Sequence, residues 1–362
     1  MGAGGWGCRG GREVLLAMDG AAMVGWARAQ ADVAMAYVTS RGGAVGIARD
    51  AYPYATAVLA SIALFNVSAY LFPLFISWMY SGANLKRRYG AEWAVVTGSS
   101  SGIGKAIAMA LARQGISVVL VALDDQLLSA TFKDLKKAFP AVAFRKVGVN
   151  LAASDGSYMG PIAEATADIK VQLLFNNAGY IKTSFFHLSD LGAQLANLEC
   201  NATSAVRITH HFYQRMMRDG MRGGIVFTSS AAGFIPSPFA SMYGATKAFI
   251  SEFSACLAVE AKASGIDVVA VHPSPVNSNF LRGAADLDMF KKAYAAATGP
   301  DSLPGPIFGA LACGMTPWRD IGTFAIFMRI VMKILDFSFM TWGFALAAPL
   351  MPDYKNNMKK AN

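Results

Sequence analysis

Two residues with the types and spacing needed for proton transfer lie in the run Ser241-Met-Tyr-Gly-Ala-Thr-Lys247. A spacing of four puts Tyr243 and Lys247 side by side on a helix. A free phenol has a pKa of about 10, and a neighbouring cation lowers this value because it stabilises the phenolate. A phenol tuned in this way can exchange a proton near neutral pH. The pair alone is also typical of an ordinary amphipathic helix, so other residues must decide between the two interpretations.

A strand that ends in hydroxyl groups precedes this pair. The run Gly224-Ile-Val-Phe-Thr-Ser-Ser230 predicts a buried strand, and ligands of open α/β sheets lie at the carboxyl ends of such strands. Adjacent side chains of a strand point to opposite faces, so only one of Ser229 and Ser230 can face a ligand there.

Two further strands end in residues suited to a dinucleotide. Trp93-Ala-Val-Val-Thr-Gly-Ser-Ser-Ser-Gly-Ile-Gly104 reads as a strand, a glycine-rich turn and the start of a helix. Such a turn offers bare N–H groups and a helix N-terminus to a pyrophosphate. Leu173-Leu-Phe-Asn-Asn-Ala-Gly179 reads as a short apolar strand whose small final residues let a flat ligand approach the backbone.

These blocks, in this order, resemble the short-chain dehydrogenase/reductase family, and the resemblance covers residues 90–326. It implies that Tyr243 is the general acid in carbonyl reduction and that Lys247 lowers its pKa while holding the nicotinamide ribose. It also implies that Ser230 binds the substrate oxygen and that Asn201 holds a water that restores the proton. The cofactor supplies the hydride.

The resemblance also implies which residues contact the cofactor. They lie in the glycine-rich turn, after the second, third and sixth strands, in the Asn-Asn-Ala-Gly block and in the catalytic pair: Gly98, Ser100, Ser101, Gly102, Ile103, Gly104, Asp124, Asn150, Asn177, Ala178, Gly179, Tyr243, Lys247, Pro273 and Val276.

Several of these positions depart from the family pattern. Related proteins carry an arginine for the 2′-phosphate of NADP(H) where this chain has Leu123, followed by Asp124. An acid near that position favours a ribose 2′-hydroxyl, as in NAD(H). The resemblance therefore implies NADP(H), and these two residues leave NAD(H) open. Asn150 replaces an aspartate beside adenine but can still accept a hydrogen bond, and Ser274 replaces a common glycine after Pro273.

The order of predicted elements gives the fold class. Strands are expected near 93–97, 117–122, 142–149, 171–175, 224–229, 267–272 and 320–326, with helices near 103–115, 125–139, 154–169, 188–218 and 241–265. This alternation predicts an α/β fold: a single Rossmann domain with a doubly wound parallel sheet, covered by helices on both faces.

A long apolar segment precedes the predicted domain. Residues 51–85 carry no charged side chain, and residues 55–80 exceed the stretch of about 20 apolar residues that spans a bilayer. A buried core helix is the alternative, but soluble reductases of this fold have no core position for such a segment. The basic run Lys86-Arg-Arg88 follows directly, and the positive-inside tendency then puts the catalytic domain in the cytosol. No function is assigned to the Gly/Ala-rich residues 1–50.

A second apolar region lies near the C-terminus. Arg329, Lys333 and Asp336 interrupt it, and its charge-free part, 337–352, is too short to span a bilayer. We expect residues 327–362 to form a membrane-associated helix in the interface or over a pocket mouth, followed by a basic tail; a second span is the lesser alternative. The final Lys359-Lys-Ala-Asn362 resembles the dilysine signal of endoplasmic reticulum membrane proteins, which predicts a single-pass protein of that membrane.

Charge and cysteine content narrow the possible partners. The net charge of +9 attracts anions, and the basic run beside the apolar segment favours a membrane surface over nucleic acid. We expect no metal site and no disulfide framework, because the cysteines lack CxxC spacing and nearby histidines: Cys8, Cys200, Cys256 and Cys313.

Within the family, the layout resembles the group of very-long-chain 3-oxoacyl-CoA reductases and 17β-hydroxysteroid dehydrogenases type 12 and type 3. That resemblance implies a lipid-like substrate, either an acyl-CoA or a steroid, and favours 3-oxoacyl-CoA. The aromatic-rich stretch 280–327 is a candidate lining for the acyl chain. A hydroxysteroid or retinol dehydrogenase and a non-catalytic membrane scaffold remain alternatives. The helices near 188–218 and 241–265 are the family's usual homodimer faces.

Overall fold

The computed structural model describes residues 20–40, 42–281 and 297–355. The chain divides into two compact units, one up to Asn66 and one from Val67 onward. Within the first unit, α1 (Gly20–Ser40) is followed by the beginning of α2 (Gly43–Met79). The second unit holds the rest of α2 and the whole sheet, so it begins before the predicted residue 90.

Seven parallel strands form one sheet in the order β3-β2-β1-β4-β5-β6-β7. Their bounds are β1 Trp93–Thr97, β2 Ser117–Ala122, β3 Phe144–Gly148, β4 Val171–Asn176, β5 Gly223–Thr228, β6 Ile266–Pro273 and β7 Trp318–Ile321. The order reverses direction between β1 and β4, which creates the crevice where doubly wound sheets bind ligands. This confirms the predicted fold class.

Helices cover both faces of the sheet. The further helices are α3 Leu85–Tyr89, α4 Gly102–Arg113, α5 Gln126–Ala138, α6 Met159–Ala165, α7 Leu191–Leu198, α8 Ser204–Arg218, α9 Ser241–Lys262, α10 Pro304–Cys313, α11 Thr323–Ile334 and α12 Phe337–Ala347. Short 3₁₀ turns lie at Phe186–Leu188, Ala231–Gly233, Asn279–Leu281, Pro300–Ser302 and Ala348–Leu350. A π turn, Glu199–Thr203, joins α7 to α8.

The strands are apolar along nearly their whole length because both of their faces are buried. In β1, Ala94 and Val96 belong to the core layer under α4 and α10, whereas Val95 belongs to the opposite layer under α8 and α9. Because all the strands of the sheet are parallel, their carboxyl ends lie at one edge, and that edge bears the predicted site residues.

The last predicted strand was partly wrong. Residues 320–326 do not form one strand: β7 ends at Ile321 and α11 begins at Thr323. Gly322 makes the turn with a φ of +91°, a conformation that glycine adopts without strain. A side chain there would also meet Ser274, since an added Cβ would lie 2.6 Å from its Oγ. Two predicted helices also differ: the one near 154–169 contracts to α6, and the one near 188–218 is interrupted by the π turn.

The end of α2 packs against the edge strand β7. Tyr70 Oη donates to Asp320 at 2.8 Å, and Arg319 Nη1 donates to the carbonyl of Leu74 at 2.7 Å. Ser77 is buried, and α10 packs closely on it: an added Cβ on Gly309 of α10 would lie 2.9 Å from the carbonyl oxygen of Ser77. A helix therefore covers the sheet edge, which would otherwise expose unpaired backbone groups.

One helix of the described chain is long and apolar enough to cross a membrane, judged by length and composition: residues Ala51–Met79 of α2. Of the basic residues that follow it, Lys86 donates to the carbonyl of Gly115 at 2.7 Å and Arg88 pairs with Asp267 at 2.9 Å. Part of this basic run thus fastens α3 to the domain, a role that the sequence did not predict.

The predicted C-terminal apolar helix exists as α12, an 11-residue helix that follows α11. Both helices expose large apolar side chains: Phe324, Phe327, Ile334, Phe337, Phe339, Trp342 and Leu346. The predicted basic tail lies outside the described residues.

Candidate active site

The sequence-predicted catalytic residues follow the carboxyl ends of neighbouring strands or lie on the helices packed there. Ser230 follows β5, Asn201 lies in the π turn, and Tyr243 and Lys247 lie in the first two turns of α9. A Cβ on Gly179, just after β4, would lie 3.1 Å from Asn201 Oδ1 and 3.4 Å from Lys247 Nζ. Three predicted blocks therefore meet around Gly179.

Tyr243 and Lys247 are buried together on one side of α9. The Lys247 ammonium lies 5.6 Å from the centroid of the Tyr243 ring, which confirms the expected neighbourhood. Burial lowers the pKa of Lys247 to about 8, because desolvation disfavours the charged amine. The lysine is therefore still mainly protonated at pH 7 and loses its charge as the pH rises through about 8.

The ammonium of Lys247 is held by the last residue of β5. Its Nζ donates to the carbonyl of Thr228 at 2.7 Å. The hydroxyl of Ser229 turns inward to the carbonyl of Lys247 at 2.8 Å, whereas Ser230 is only partly buried and accepts from the N–H of Ala232. The alternation along the strand thus separates the two serines as predicted, and Ser230 is the one left at the strand's open end.

Asn201 sits where the helix pattern breaks. Its Oδ1 accepts from the N–H of Tyr180 at 3.0 Å, and its Nδ2 donates to the carbonyl of Tyr180 at 2.9 Å. The amide therefore clamps the loop after β4. π turns of this kind release a main-chain carbonyl from the regular helical pattern and are frequent at functional sites.

Asn177 and Ala178 connect the strand ends of the crevice. Their N–H groups both donate to the hydroxyl of Thr97 at 3.0 Å. The Asn177 amide donates to the carbonyl of Thr97 and accepts from the hydroxyl of Thr228. These side-chain bonds hold β1, β4 and β5 in register at the edge where a ligand would lie.

The glycine-rich turn is packed so closely that two of its positions require glycine. Gly98 has a φ of +65°, and an added Cβ there would lie 2.8 Å from the Cα of Ala178. A Cβ on Gly104 would meet the Gly98 carbonyl at 2.2 Å, so only glycine fits. α4 begins at Gly102, and its N-cap residue Ser101 makes no side-chain capping bond. The first N–H groups of α4 therefore have no side-chain cap competing with an anion. Ser100 and Ile103 lie in the same turn, both partly buried.

The predicted adenosine edge carries an ion pair that the sequence did not reveal. Asp124 Oδ1 lies 3.3 Å from Lys146 Nζ, and both side chains are substantially exposed. Such a surface pair contributes at most about 1 kcal/mol. Leu123 points into solvent with 57% of its surface exposed. Asn150 uses its amide oxygen locally, accepting from the N–H of Ala152.

The segment that follows β6 lies beside Tyr243. Pro273 ends β6, and buried Val276 pairs with Thr298 through an isolated bridge. The Phe280 ring lies 5.6 Å from the Tyr243 ring. Of the predicted acyl-chain lining, 280–327, residues 282–296 lie outside the described residues.

The sequence did not reveal the groups that hold the predicted catalytic residues. Thr228 and Tyr180 act through backbone carbonyl and N–H groups, which no residue-type pattern can reveal. Thr97 precedes Gly98 within the turn motif, so its role was within reach of the sequence. In the described part of the chain, no cluster of His, Cys, Asp or Glu could hold a metal ion.

Known proteins share this architecture. The family model described as short chain dehydrogenase matches residues 92–286. The very-long-chain 3-oxoacyl-CoA reductase-like protein of Arabidopsis thaliana is 34% identical over 236 residues, which cover 61% of this chain and 74% of that protein. The 17-beta-hydroxysteroid dehydrogenase type 3 of Rattus norvegicus is 29% identical over 282 residues, covering 75% of this chain and 87% of that protein. A short-chain dehydrogenase from Sphingobium yanoikuyae, solved in complex with NADPH, is similar with a TM-score of 0.57 at 26% identity, covering 66% of this chain and 92% of that chain.

Proposed function

Because this chain belongs to the short-chain dehydrogenase family, we propose that it is a membrane-anchored oxidoreductase that reduces the keto group of 3-oxoacyl-CoA in very-long-chain fatty-acid elongation. The observation that carries this proposal is the burial of Tyr243 and Lys247 together at the carboxyl edge of the sheet, beside Ser230 and Asn201. The name of the Arabidopsis relative supplies the substrate class.

Each catalytic side chain has a role that follows from its chemistry. A bound nicotinamide supplies the hydride. Ser230 donates a hydrogen bond from its hydroxyl to the substrate's keto oxygen, which fixes the orientation of the substrate. Tyr243 gives its phenolic proton to the same oxygen as negative charge develops there. The charge of Lys247, held by the carbonyl of Thr228, stabilises the phenolate that remains.

Proton return to Tyr243 requires a path from solvent. The side-chain amide of Asn201 is committed to Tyr180. The main-chain carbonyl that the π turn releases is therefore the group that can hold a water. A water there, within reach of the Lys247 ammonium, would carry a proton to the phenolate.

The dinucleotide cradle supports a nicotinamide cofactor, which we propose to be NADP(H). A Cβ on Gly98 or Gly104 would collide with the main chain of Ala178 or Gly98, so the close turn before α4 requires glycine, and the first N–H groups of α4 carry no side-chain cap. The solved relative from Sphingobium binds NADPH. Leu123 and Asp124 keep NAD(H) as the second candidate, although Lys146 offsets part of the Asp124 charge.

Apolar side chains beside Tyr243 support a lipid-like substrate. Ile181, Ala240 and Tyr243 form one buried cluster, against which Phe280 packs. Next to it, the ring of Phe239 lies 5.1 Å from that of Phe185 and 6.3 Å from that of Tyr354. Phe239 has a φ of +64°, a strained conformation for a large residue and one that clusters at ligand sites. A long acyl chain fits such a wall.

Two apolar surfaces support attachment to a membrane; the basic run Lys86-Arg-Arg88 and the final Lys359-Lys-Ala-Asn362 are our reasons for proposing the endoplasmic reticulum, with the catalytic domain in the cytosol. Residues Ala51–Met79 are long enough for a single span. The exposed aromatic residues of α11 and α12, such as Phe327 and Trp342, suit a helix pair lying in the interface. Bound in this way, the site would receive acyl chains that partition into the bilayer.

Steroid reduction is the second candidate function, supported by the similarity to a 17-beta-hydroxysteroid dehydrogenase. The same apolar wall beside Tyr243 would accept a steroid or retinol ring system.

We also propose a homodimer through α7 and α9, which expose Leu191, Leu195, Phe249 and Val259. A non-catalytic scaffold would bind no cofactor, so calorimetry with NADPH distinguishes that alternative.

Tyr243→Phe should abolish reduction of 3-oxoacyl-CoA, because the ring remains and only the proton donor is lost. We expect kcat to fall about 100- to 10,000-fold, with NADPH binding retained, in protein purified in detergent. Oxidation of NADPH is followed by absorbance across acyl chain lengths. Tyr213→Phe is the matched control, since Tyr213 lies on α8 away from the catalytic residues. Full activity in Tyr243→Phe would contradict the assignment.

Leu123→Arg should raise the preference for NADPH over NADH at least about tenfold, because a guanidinium forms bidentate bonds to the 2′-phosphate. The measurement is the ratio of kcat/KM values for the two cofactors. Leu127→Arg adds the same charge to an exposed site on α5 and should leave the ratio unchanged. Equal shifts in both variants would mean that Leu123 does not face the cofactor.

Charges placed inside the proposed span should release the protein from the bilayer. Leu59→Lys with Ile62→Lys adds about 2.5 to 3.5 kcal/mol per lysine to the insertion cost. We expect this variant in the supernatant after alkaline carbonate extraction and the wild type in the pellet. Val33→Lys with Met35→Lys, on exposed positions of α1, is the control and should stay in the pellet. Retention of both variants would argue against the span.

A further inference from the structure

A buried carboxylate on β7 binds three other elements of the fold. Asp320, 2% exposed, accepts from Tyr70 Oη at 2.8 Å, from Arg329 Nε and Nη2 at 3.0 Å each, and lies 3.1 Å from His272 Nδ1. These partners lie on α2, α11 and β6. We call the four residues the Asp320 cluster. The bonds described above for Lys247 use none of its members directly.

The charge states within the cluster follow from its geometry. Burial alone would raise the pKa of Asp320, but the bonds from His272 and Arg329 outweigh it and hold the pKa at about 2. Burial lowers the pKa of His272, so the imidazole is neutral at pH 7. Its Nδ1–H then donates to Asp320, which leaves Nε2 as an acceptor.

Arg329 connects the cluster to the loop that carries the catalytic serine. Its guanidinium carbon lies 3.5 Å from the centroid of the Phe234 ring. Phe234 directly follows the 3₁₀ turn Ala231–Gly233, whose N-cap is Ser230. A planar cation stacked on this ring fixes the loop four residues beyond Ser230.

His272 connects the cluster to the helix that carries the catalytic lysine. Its Nε2 lies 2.8 Å from Ser251 Oγ. With Nε2 as the acceptor, Ser251 gives its only hydroxyl proton to His272, and the carbonyl of Lys247 accepts from Ser229 at 2.8 Å. Ser251 lies on α9 one turn beyond Lys247, so the lysine helix is fixed at two points, one of which leads back to Asp320.

The two connections converge. A Cβ on Gly233 would lie 2.8 Å from the carbonyl carbon of Lys247, so the serine loop and the lysine helix touch at this point. A shift of either would move the other.

Net stability does not explain such a cluster, because the cost of desolvating buried charges offsets much of their attraction. Apolar residues of similar volume could fill the same space. What directional bonds add is a defined relative position for the elements that they join.

We propose that the Asp320 cluster is the positioning centre of the active site: Arg329 sets the serine loop through Phe234, and His272 sets the lysine helix through Ser251. These are positioning residues, since the structure shows none of them among the groups that act on the keto oxygen. Through Tyr70 the same carboxylate also holds the last turns of the apolar helix α2. The proposal relies on the proposed function only for the choice of assay substrate.

Two substitutions of one residue test the lysine branch. His272→Gln keeps an amide near the Nε2 position and can still bond Ser251, whereas His272→Asn keeps one near Nδ1 and can bond only Asp320. We expect His272→Asn to weaken NADPH binding and lower kcat by about tenfold or more, because displaced catalytic groups lose much of their effect. His272→Gln keeps the bond to Ser251 but loses the one to Asp320, so it should restore both only in part. NADPH binding is measured without substrate, from the change in nicotinamide fluorescence.

A third substitution tests the serine branch. Phe234→Leu removes the stacking surface of Arg329 without touching Asp320 or Lys247. Because the Phe234 ring also lies 5.5 Å from the His272 ring, kcat should fall by about tenfold and NADPH affinity by a smaller factor. Tyr89→Phe is the control for a loss of stability alone. It removes a buried phenol–carboxylate bond outside the Asp320 cluster, to Asp267 at 2.8 Å, and should lower the melting temperature while leaving kcat and NADPH affinity unchanged.

The pattern across variants decides the proposal. A purely structural cluster would lower activity in proportion to melting temperature in every variant, with no rescue by glutamine over asparagine, and that result would overturn it. If the wild type binds NADPH but reduces no 3-oxoacyl-CoA, the substrate assignment fails, while NADPH affinity in the two His272 variants still decides the lysine branch.

Discussion

The structure depends on keeping one ammonium group charged inside a protein interior. Lys247 is almost fully buried, and burial lowers its pKa to about 8. The main-chain carbonyl of Thr228 accepts a hydrogen bond from this ammonium at 2.7 Å. Placing that carbonyl at the end of β5 requires the parallel sheet, and placing the lysine requires α9 to begin at the same edge. The fold thus holds a cation beside a phenol at the carboxyl edge of the sheet.

The same requirement explains how the surrounding loops are built. Asn201 clamps the loop after β4 through Tyr180, and Thr97 receives both Asn177 and Ala178. These bonds use small polar side chains at strand ends, where the sheet no longer supplies backbone partners. The crevice is therefore fixed by side-chain bonds among the strand ends, which preorganises it for a flat ligand.

The sequence was sufficient for features set by local spacing. The i to i+4 pair of Tyr243 and Lys247, the alternation that separates Ser229 from Ser230, and the first six strands were all predicted within a few residues. It failed where partners are distant in the chain. Gly322 must be glycine because a side chain there would collide with Ser274, and Asp320 accepts a hydrogen bond from Tyr70, which lies 250 residues upstream. No local period encodes such contacts. The bonds through backbone carbonyls leave no signature in residue types.

We infer that the buried ammonium of Lys247 sets the acid strength of the site, and the pH dependence of kcat/KM for the reduction is the sharpest test of this role. The wild type should lose activity as the pH rises through about 8, where Lys247 loses its proton. In Lys247→Arg the guanidinium stays charged to above about pH 12, so the loss of its residual activity should move to higher pH. If both proteins lost activity at the same pH, Lys247 would not be the group that sets the acid strength of the site.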